Sequence, residues 1–242
     1  MAVFQGSRGR IHVQEDFTGF DPDYTWPAGG GLVGDLMLTS VNEGSFENTV
    51  DEVGGVLAVT TDTGDDDNFA LYTGPFRPAD GTMSIEARVK SNSATLGAFF
   101  IGFTETLDKA TPVMPAEFAT TTMTYNGTGG MLGLQWDSDG TTDDWRAVMG
   151  DGGAAKADSS NGIRANDTMA ADKYDIVRVI LQANGGGECY LNEKLVKRFS
   201  TGTLLTDTDL FFPVVMYENR SAAARVVEID YIDIEGGRRW DE

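Results

Sequence analysis

The sequence predicts an all-β protein built as a sandwich of two antiparallel sheets. Segments with apolar residues at helical spacing over ten or more positions are almost missing, whereas short runs that alternate or are rich in β-branched and aromatic residues recur along the chain. Gly, Asn and Asp separate these runs, as they do in turns between antiparallel strands. About fourteen such strands fit best into two sheets that pack face to face about 10 Å apart.

The predicted strands follow one another along the whole chain. In the run 83–90 every second residue is apolar and the others are polar or charged, which is typical of a sheet with one solvated face. Two longer connections interrupt the series. The segment 105–118 contains two prolines and is expected to cross between the sheets, and the small, polar segment 150–172 is expected to be either a lid or contact arm or a solvated loop. Strands are predicted at 11–19, 32–39, 55–61, 68–73, 81–90, 96–104, 120–125, 131–136, 145–149, 174–183, 188–191, 194–199, 210–217 and 223–234.

Length and composition predict a single domain. The 242 residues are 40% hydrophobic and 10% aromatic, which is enough for one large core, and no Pro-rich, Ser-rich or charged linker divides them. We predict an N-terminal arm at 1–14, a sandwich domain at 15–237 and a C-terminal tail at 238–242. No apolar stretch is long enough to cross a membrane, and the N-terminus lacks the apolar segment of a secretory signal, so we expect synthesis in a cytoplasm without secretion.

The charge balance excludes several functions. With 38 Asp and Glu against 18 Lys and Arg, the formal charge is −20, which disfavours broad contacts with nucleic acid or with an anionic membrane. His12 and Cys189 are the only histidine and cysteine, so an intrachain disulfide is excluded, and a zinc site or a Ser-His-Asp triad would depend on His12 alone. Cys189 alternates with apolar positions and is expected to lie in the core.

The last third of the chain carries a distinctive succession of strands. A strand at 174–179 leads through a Gly-Gly-Gly turn to the sequence Cys-Tyr-Leu-Asn-Glu-Lys-Leu-Val at 189–196, and the runs 210–216 and 227–234 follow. This succession resembles the C-terminal half of the concanavalin A-like lectin/glucanase jelly roll. The resemblance implies the jelly-roll fold but no single activity, because the superfamily includes lectins, glucanases and virion proteins. Glu193 stands where the family commonly has Gly, so a turn that needs positive φ is expected to be strained.

A glycoside hydrolase is one hypothesis that the resemblance raises. Glucanases of the family carry a Glu-x-Asp-x-x-Glu motif, and the nearest match is Glu228, Asp230 and Asp233, which ends in Asp and lies in the last predicted strand. Strand geometry places Glu228 and Asp230 on one face and Asp233 on the other unless a bulge intervenes. We therefore expect no catalysis, and interpret these residues as an acidic solvated face.

Two Asp-rich turns, at 62–68 and 137–144, offer the hard oxygen ligands that calcium prefers. Strands flank the second turn and would hold it in place. We name Asp137, Asp139 and Asp143 as candidate calcium ligands, with a plain acidic hairpin turn as the alternative. We expect no other cofactor.

Trp136 and Trp145 flank the same turn. In a lectin-like fold these two rings are candidates for stacking on a glycan. The alternative is a cross-strand aromatic contact that fixes the register of the hairpin.

The two ends of the chain differ from its acidic body. Residues 1–14 include Arg8 and Arg10 and no acid, and the last predicted strand is followed by Arg238, Arg239 and Trp240. Arg and aromatic residues are enriched at interface hot spots, so these five residues are candidate contacts with a neighbouring subunit. Frayed termini are the alternative.

An acidic jelly roll with terminal arms and no complete catalytic set is similar to the proteins that decorate or cement the heads of tailed bacteriophages. This resemblance implies a non-enzymatic virion protein that stabilises the capsid, with the major capsid protein and further copies of itself, as a homotrimer, for partners. The alternative is a glycan-binding module, either lectin-like or the receptor-binding domain of a tail fibre. The two hypotheses differ in their partner, a capsid lattice or a sugar.

Overall fold

The computed structural model describes residues 10–18, 31–41, 44–49, 55–108, 112–126, 129–151, 155–156, 162–200 and 205–237. These residues form an all-β structure, which confirms the predicted fold class. Within this part of the chain, no helix has the length and apolar character that a membrane crossing requires. In chain order the strands are β1 (Arg10–Glu15), β2 (Gly31–Val33), β3 (Leu36–Val41), β4 (Ser45–Asn48), β5 (Leu57–Thr60), β6 (Asn68–Tyr72), β7 (Met83–Ser91), β8 (Gly97–Thr104), β9 (Ala116–Ala119), β10 (Thr122–Tyr125), β11 (Gly130–Asp137), β12 (Asp144–Asp151), β13 (Ala155–Lys156), β14 (Ile163–Thr168), β15 (Asp175–Leu181), β16 (Gly187–Leu191), β17 (Lys194–Phe199), β18 (Phe212–Asn219) and β19 (Val226–Gly237), and a 3-10 helix lies at Pro78–Asp80.

Two large sheets form the sandwich. The eight-stranded sheet has the order β17-β16-β15-β7-β19-β5-β4, and β1 also pairs with β19. The nine-stranded sheet has the order β13-β12-β11-β8-β18-β6-β3-β2, and β14 also pairs with β12. A separate hairpin consists of β9 and β10. The strands pair in antiparallel fashion, as predicted.

The main core fills the space between the two sheets. In β7 the apolar residues at alternate positions are buried and the polar residues between them are half-buried, as the sequence pattern predicts. The same alternation in β15 and β16 buries Val177, Val179 and Cys189 in this core. Each inward side chain of this size contributes on the order of 1.5–3 kcal/mol through its removal from water.

A chain of aromatic rings crosses the core. The ring centroid of Phe99 lies 6.3 Å from Trp136, 6.1 Å from Trp145 and 4.8 Å from Tyr217. The chain continues with Phe69, 6.0 Å from Tyr217, and ends with Phe46 of β4, 5.9 Å further on. Because Phe46 belongs to the eight-stranded sheet and the other rings to the nine-stranded sheet, these contacts join the two layers.

The middle strands of the nine-stranded sheet are buried on both faces. All residues of β8 and of β11 are buried, whereas a strand with one solvated face would alternate. The second cover is the segment 112–126, which contains the β9–β10 hairpin. Its apolar side chains form a second core with the sheet residues that point away from the first, and this core includes Met114, Ala116, Phe118, Met123 and Tyr125 of the segment and Phe100, Met131, Val148 and Met216 of the sheet.

Several parts of the structure differ from the prediction, and one of them is β4 (Ser45–Asn48), which no predicted strand covers. The connection 105–118 ends in β9, and the connection 150–172 contains β13 and β14, so residues 163–168 form a strand rather than a lid or a solvated loop. Residues 10–14, predicted as part of an arm, belong to β1, because their backbone pairs with the end of β19. Residues 1–9 and 238–242 of the predicted arms lie outside the described residues.

The hairpin between β16 and β17 has the backbone conformation that the sequence led us to expect. Asn192 has a φ of 49° and Glu193 a φ of 67°. Two successive positive φ values are typical of a two-residue hairpin turn, in which Asn is well tolerated and the second position favours Gly. Glu193 therefore holds a conformation that its Cβ disfavours.

We expect Glu193→Gly to stabilise the protein by about 1 kcal/mol, because glycine adopts positive φ without a steric penalty. Lys194→Gly is the matched control. Lys194 is not among the residues with positive φ, so glycine there brings only a loss of about 0.5–1 kcal/mol. Urea unfolding measures the change in stability of both variants. A Glu193→Gly variant that is no more stable than the parent would show that the backbone at Glu193 is not strained.

Candidate functional site

The outer side of the eight-stranded sheet is a solvated face with ordered polar side chains. Along β7, β15, β16 and β19 the outward positions alternate with core residues and carry mostly charged or tyrosine side chains, while β15 also presents Ile176 and Ile180. Tyrosine hydroxyls on this face donate hydrogen bonds to glutamates. The pairs are Tyr174 with Glu228 at 2.7 Å, Tyr231 with Glu86 at 2.8 Å, and Tyr190 with Glu188.

The residues that match the glucanase motif lie on this face and are paired with cations. Lys90 Nζ is 2.6 Å from Glu228 Oε2, and Arg88 forms an ion pair with Asp230. The sequence analysis placed Asp233 on the opposite face from Glu228 unless a bulge intervened. The strand β19 has such a bulge, seen as a register shift between Ile229 and Tyr231, and it turns Asp233 to the same side as Glu228. These contacts fit the interpretation as an acidic solvated face, and the expected lack of catalysis stays a prediction.

A groove of about 590 Å³ opens on this face where β1, β19, β7 and β15 lie side by side. We call it the outer groove. Side chains of β1 and β15 form its two walls, and small residues on β7 and β19 leave the space between them. Its lining consists of Arg10, Ile11, His12, Thr82, Met83, Ser84, Arg178, Ile180, Glu235, Gly236 and Gly237.

Two arginines in the outer groove form no direct ion pair. The guanidinium groups of Arg10 and Arg178 form no ion pair or side-chain hydrogen bond with any residue in the described ranges. Arg178 acts on Glu188 only through its charge, which helps to lower the pKa of that carboxyl, whereas Arg198, on the same face, donates to Glu188 at 2.7 Å. The outer groove therefore offers two solvent-exposed guanidinium groups on a strongly acidic protein, with Glu235 also in its lining.

At the edge of the outer groove, His12, Asp233 and Glu235 come together. His12 Nε2 lies 2.7 Å from Asp233 Oδ1, and ligand atoms of all three residues lie within 4.8 Å of one another, close enough to hold a metal ion. Burial raises the pKa of Asp233, the hydrogen bond from His12 lowers it, and Glu235 and Glu86 raise it further. The sequence analysis missed this group because the pairing of β1 with β19 joins residues from opposite ends of the chain.

The predicted calcium ligands already have other partners, and Asp137 in particular accepts hydrogen bonds from the protein. Its Oδ2 accepts the Phe118 N–H at 2.8 Å and Arg220 Nη2 at 2.9 Å, and its Oδ1 accepts the Asp139 N–H at 3.1 Å. Asp139 Oδ2 lies 4.0 Å from the same arginine. Burial raises the pKa of Asp143, and the charges of Asp144 and Asp137 raise it further. Within the described residues, Asp137, Asp139 and Asp143 are not a group whose ligand atoms lie close enough to share a metal ion, so these contacts favour the alternative, a plain acidic hairpin turn.

Arg220 is the centre of a buried ionic cluster that the sequence did not reveal. Its side chain is 7% exposed and contacts Asp137, Glu218 and, at 3.6 Å, Asp66. One guanidinium thus faces two carboxylates that are almost completely buried. Burial raises the pKa of Glu218 to about 7, although the charge of Arg220 opposes this shift.

Trp136 and Trp145 cannot stack on a glycan, because both rings are fully buried between the sheets. Trp145 Nε1 donates a hydrogen bond to Asp175 Oδ2 at 3.0 Å, and both rings contact Phe99. Both residues are therefore core residues, and their ring contacts run through Phe99. Cys189 is also buried there, and burial raises the pKa of its thiol far above the usual range.

Of the predicted interface residues, only Arg10 lies in the described part of the chain. It is an exposed residue of β1 and lines the outer groove. Arg10 is paired with Gly237 in the sheet, so the segments 1–9 and 238–242 begin beside each other. Arg8, Arg238, Arg239 and Trp240 lie outside the described residues.

Comparisons with known proteins identify the fold. No family model matches the sequence, and no curated protein matches it. A protein of unknown function, SO2946 from Shewanella oneidensis MR-1, has a similar structure, with a TM-score of 0.57, 12% identity, and coverage of 98% of this chain and 91% of that one. The carbohydrate recognition domain of Emp47p gives a TM-score of 0.55 with 13% identity over 88% of this chain and 95% of that one. The alginate lyase Aly36B gives 0.53 with 11% identity over 95% and 98%. The chain therefore shares its two-sheet jelly-roll fold with a carbohydrate recognition domain and an alginate lyase.

We expect Glu218 to make stability depend on pH. Between pH 4.5, the usual pKa of a glutamate, and pH 7, the folded state holds a proton that the unfolded chain releases. The contribution of Glu218 is therefore fully present below pH 4.5 and lost as the pH rises to 7. Urea unfolding across this range is expected to show a smaller loss of stability for Glu218→Gln than for the parent.

Glu188→Gln is the control for this prediction. The hydrogen bond from Tyr190 and the contact with Arg198 lower the pKa of Glu188, so its contribution is lost as the pH falls instead. If the stability of the parent and of Glu218→Gln changed with pH in the same way, the proton could not be assigned to Glu218.

Proposed function

We propose that the protein binds an acidic glycan in the outer groove and does not cleave it. The observation that carries this proposal is that Arg10 and Arg178 form no ion pair in the described ranges, in a chain with a formal charge of −20. Arginine recognises carboxylates through paired N–H donors, and such charge-assisted hydrogen bonds are stronger than neutral ones. A ligand with carboxylate groups would supply the missing partners.

The spacing of the two arginines favours a polymer over a single sugar. Arg178 is level with Glu86, Asp233 and Gln14 across the sheet, and Gln14 lies four residues from Arg10 along β1. Three strand spacings of about 4.8 Å and four residue steps of about 3.4 Å place their backbones about 20 Å apart. The two guanidinium groups therefore reach different units of a glycan chain.

The rest of the lining suits a sugar. Ile180 offers apolar surface to the C–H face of a ring, and Thr82 and Ser84 carry hydroxyl groups that both donate and accept hydrogen bonds. The volume of the outer groove, about 590 Å³, is within the usual range of ligand sites, about 300–1,000 Å³. The similar fold of a carbohydrate recognition domain and of an alginate lyase supports a glycan as the ligand.

Binding to uronate polymers tests the proposal. We expect alginate or polygalacturonate to retard the protein in affinity electrophoresis, whereas neutral dextran has no effect. Arg178→Gln and Arg10→Gln are each expected to weaken binding about tenfold or more, because a hydrogen bond to a charged group contributes about 1.5–3 kcal/mol. Arg198→Gln, on the same face but paired with Glu188, is the matched control and is expected to bind as the parent does.

Three results would contradict the proposal. Failure to bind any acidic polymer, or equal loss of binding in Arg178→Gln and Arg198→Gln, would remove the outer groove as the site. Release of shortened products from a bound polymer would show an enzyme, and Glu228→Gln would then test the hydrolase hypothesis.

The capsid-decoration hypothesis stays a prediction with one structural argument in its favour. Because Arg10 pairs with Gly237, both terminal segments start at one place and can contact the same neighbour. We expect a decoration protein to bind capsids that lack it and to raise their resistance to heat. Replacement of both Arg238 and Arg239 by Ala is expected to abolish this binding without loss of the fold, and unchanged binding would contradict the role of the arms.

A further inference from the structure

The only histidine of the chain lies beside two carboxylates on the outer side of the eight-stranded sheet. His12 of β1 is directly opposite Glu235 of β19 in the strand register. Asp233 is the neighbouring outward residue of β19, two positions before Glu235. All three residues belong to paired strands and none to a loop, so the sheet itself fixes their relative positions.

The distances within this group suit one metal ion. His12 Nε2 lies 2.7 Å from Asp233 Oδ1, and one ligand atom from each of the three residues lies within 4.8 Å of the other two. Around a tetrahedral zinc ion with bonds of about 2.0–2.2 Å, neighbouring ligand atoms are about 3.4 Å apart. Small side-chain rotations, chiefly of the exposed Glu235, therefore bring the three ligand atoms around one ion.

The charge of the group favours a cation. Two carboxylates and one imidazole carry a net negative charge in either protonation state of His12. In the described part of the chain, no Lys or Arg forms an ion pair with Asp233 or Glu235. Asp230 of the same strand, by contrast, is already paired with Arg88. The group around His12 is thus the place on β19 where a cation meets carboxylates that no basic side chain holds.

The types of ligand favour zinc over calcium or magnesium. Calcium and magnesium prefer oxygen atoms alone, whereas zinc binds imidazole nitrogen together with carboxylate oxygen. The only cysteine, Cys189, is fully buried in the core and does not compete for an ion at the surface. A zinc ion held by an imidazole of this chain therefore has to bind at His12.

We propose that His12, Asp233 and Glu235 bind one zinc ion through Nε2 of the histidine and one oxygen of each carboxylate. His12 is then neutral with its proton on Nδ1, and the ion replaces the hydrogen bond between Nε2 and Asp233 Oδ1. Water takes the fourth position of the zinc ion, since the side chains of His12 and Asp233 are 32% and 34% exposed. His12 and Glu235 also line the outer groove, so this position adjoins it. The site does not depend on the proposed glycan, because the metal alone is its ligand.

Zinc titration of the untagged full chain tests the proposal. After treatment with EDTA, we expect calorimetry to show uptake of one zinc ion per chain and much weaker binding of calcium. His12→Gln and Asp233→Asn are each expected to weaken zinc uptake about tenfold or more, because each removes one of three protein ligands. Asp230→Asn is the matched control. It makes the same change on the same strand, at a carboxylate paired with Arg88, and is expected to bind zinc as the parent does.

Because His12 is the only histidine, its ring signals in an NMR spectrum report directly on this site. We expect added zinc to shift these signals in the parent and in Asp230→Asn, in step with the uptake measured by calorimetry. This measurement uses the parent chain, so it decides the question even if His12→Gln or Asp233→Asn fails to fold. The proposal would be overturned by a parent chain that takes up no zinc, by uptake that leaves the His12 signals unchanged, or by calcium binding as tight as zinc binding. Equal zinc uptake by Asp233→Asn and the parent would overturn it as well.

Discussion

The burial of both faces in the middle of the nine-stranded sheet determines where this protein can contact other molecules. One face packs against the eight-stranded sheet and the other lies beneath the segment 112–126, so β8 and β11 contain no exposed residue. In a two-layer sandwich each sheet normally keeps one solvated face. Here the outer side of the eight-stranded sheet is the open sheet face, and the outer groove, the tyrosine–glutamate pairs and most of the paired charges lie on it.

Hydrogen bonds fix the position of the segment 112–126 on the sheet. Apolar contacts are not directional and would not define this position by themselves. Gln135 donates a hydrogen bond to the Ala116 carbonyl, and Asp137 accepts the Phe118 N–H at 2.8 Å. Both hydrogen bonds satisfy backbone groups of β9 that have no strand partner on that side. Asp137 carries a charge into the interior, and Arg220 compensates it. The contact between the covering segment and the sheet therefore depends on Arg220, which compensates the buried charge of Asp137.

The sequence predicted the fold well, because alternation and turn residues report directly on sheet structure. The strand β7 follows its pattern residue by residue, and the positive φ of Glu193 follows from the turn. The strands β4, β9, β13 and β14 escaped prediction because their sequences are short or partly polar and carry no clear alternation.

The candidate sites were harder to predict, since a pattern of residue types does not tell which face of a sheet is covered. Trp136 and Asp137 are neighbours on β11, one in each core, and both appeared suitable for a solvated site. Likewise, the approach of His12 to Asp233 and the open position of Arg178 depend on strand order. Strand order is set by contacts between distant segments, and a local reading of the sequence contains little information about it.

The strand orders also bear on how copies of the protein can associate. Three of the strands that end the two orders are very short, with four residues in β4, three in β2 and two in β13. The fourth, β17, is longer but carries Lys194, Lys197 and Arg198. Short or basic strands at these four ends disfavour the extension of one sheet into another and so protect against fibrous aggregation. Two further strands, β1 and β14, each have six residues and one strand partner, so a backbone ladder between copies of the protein would have to form along one of them.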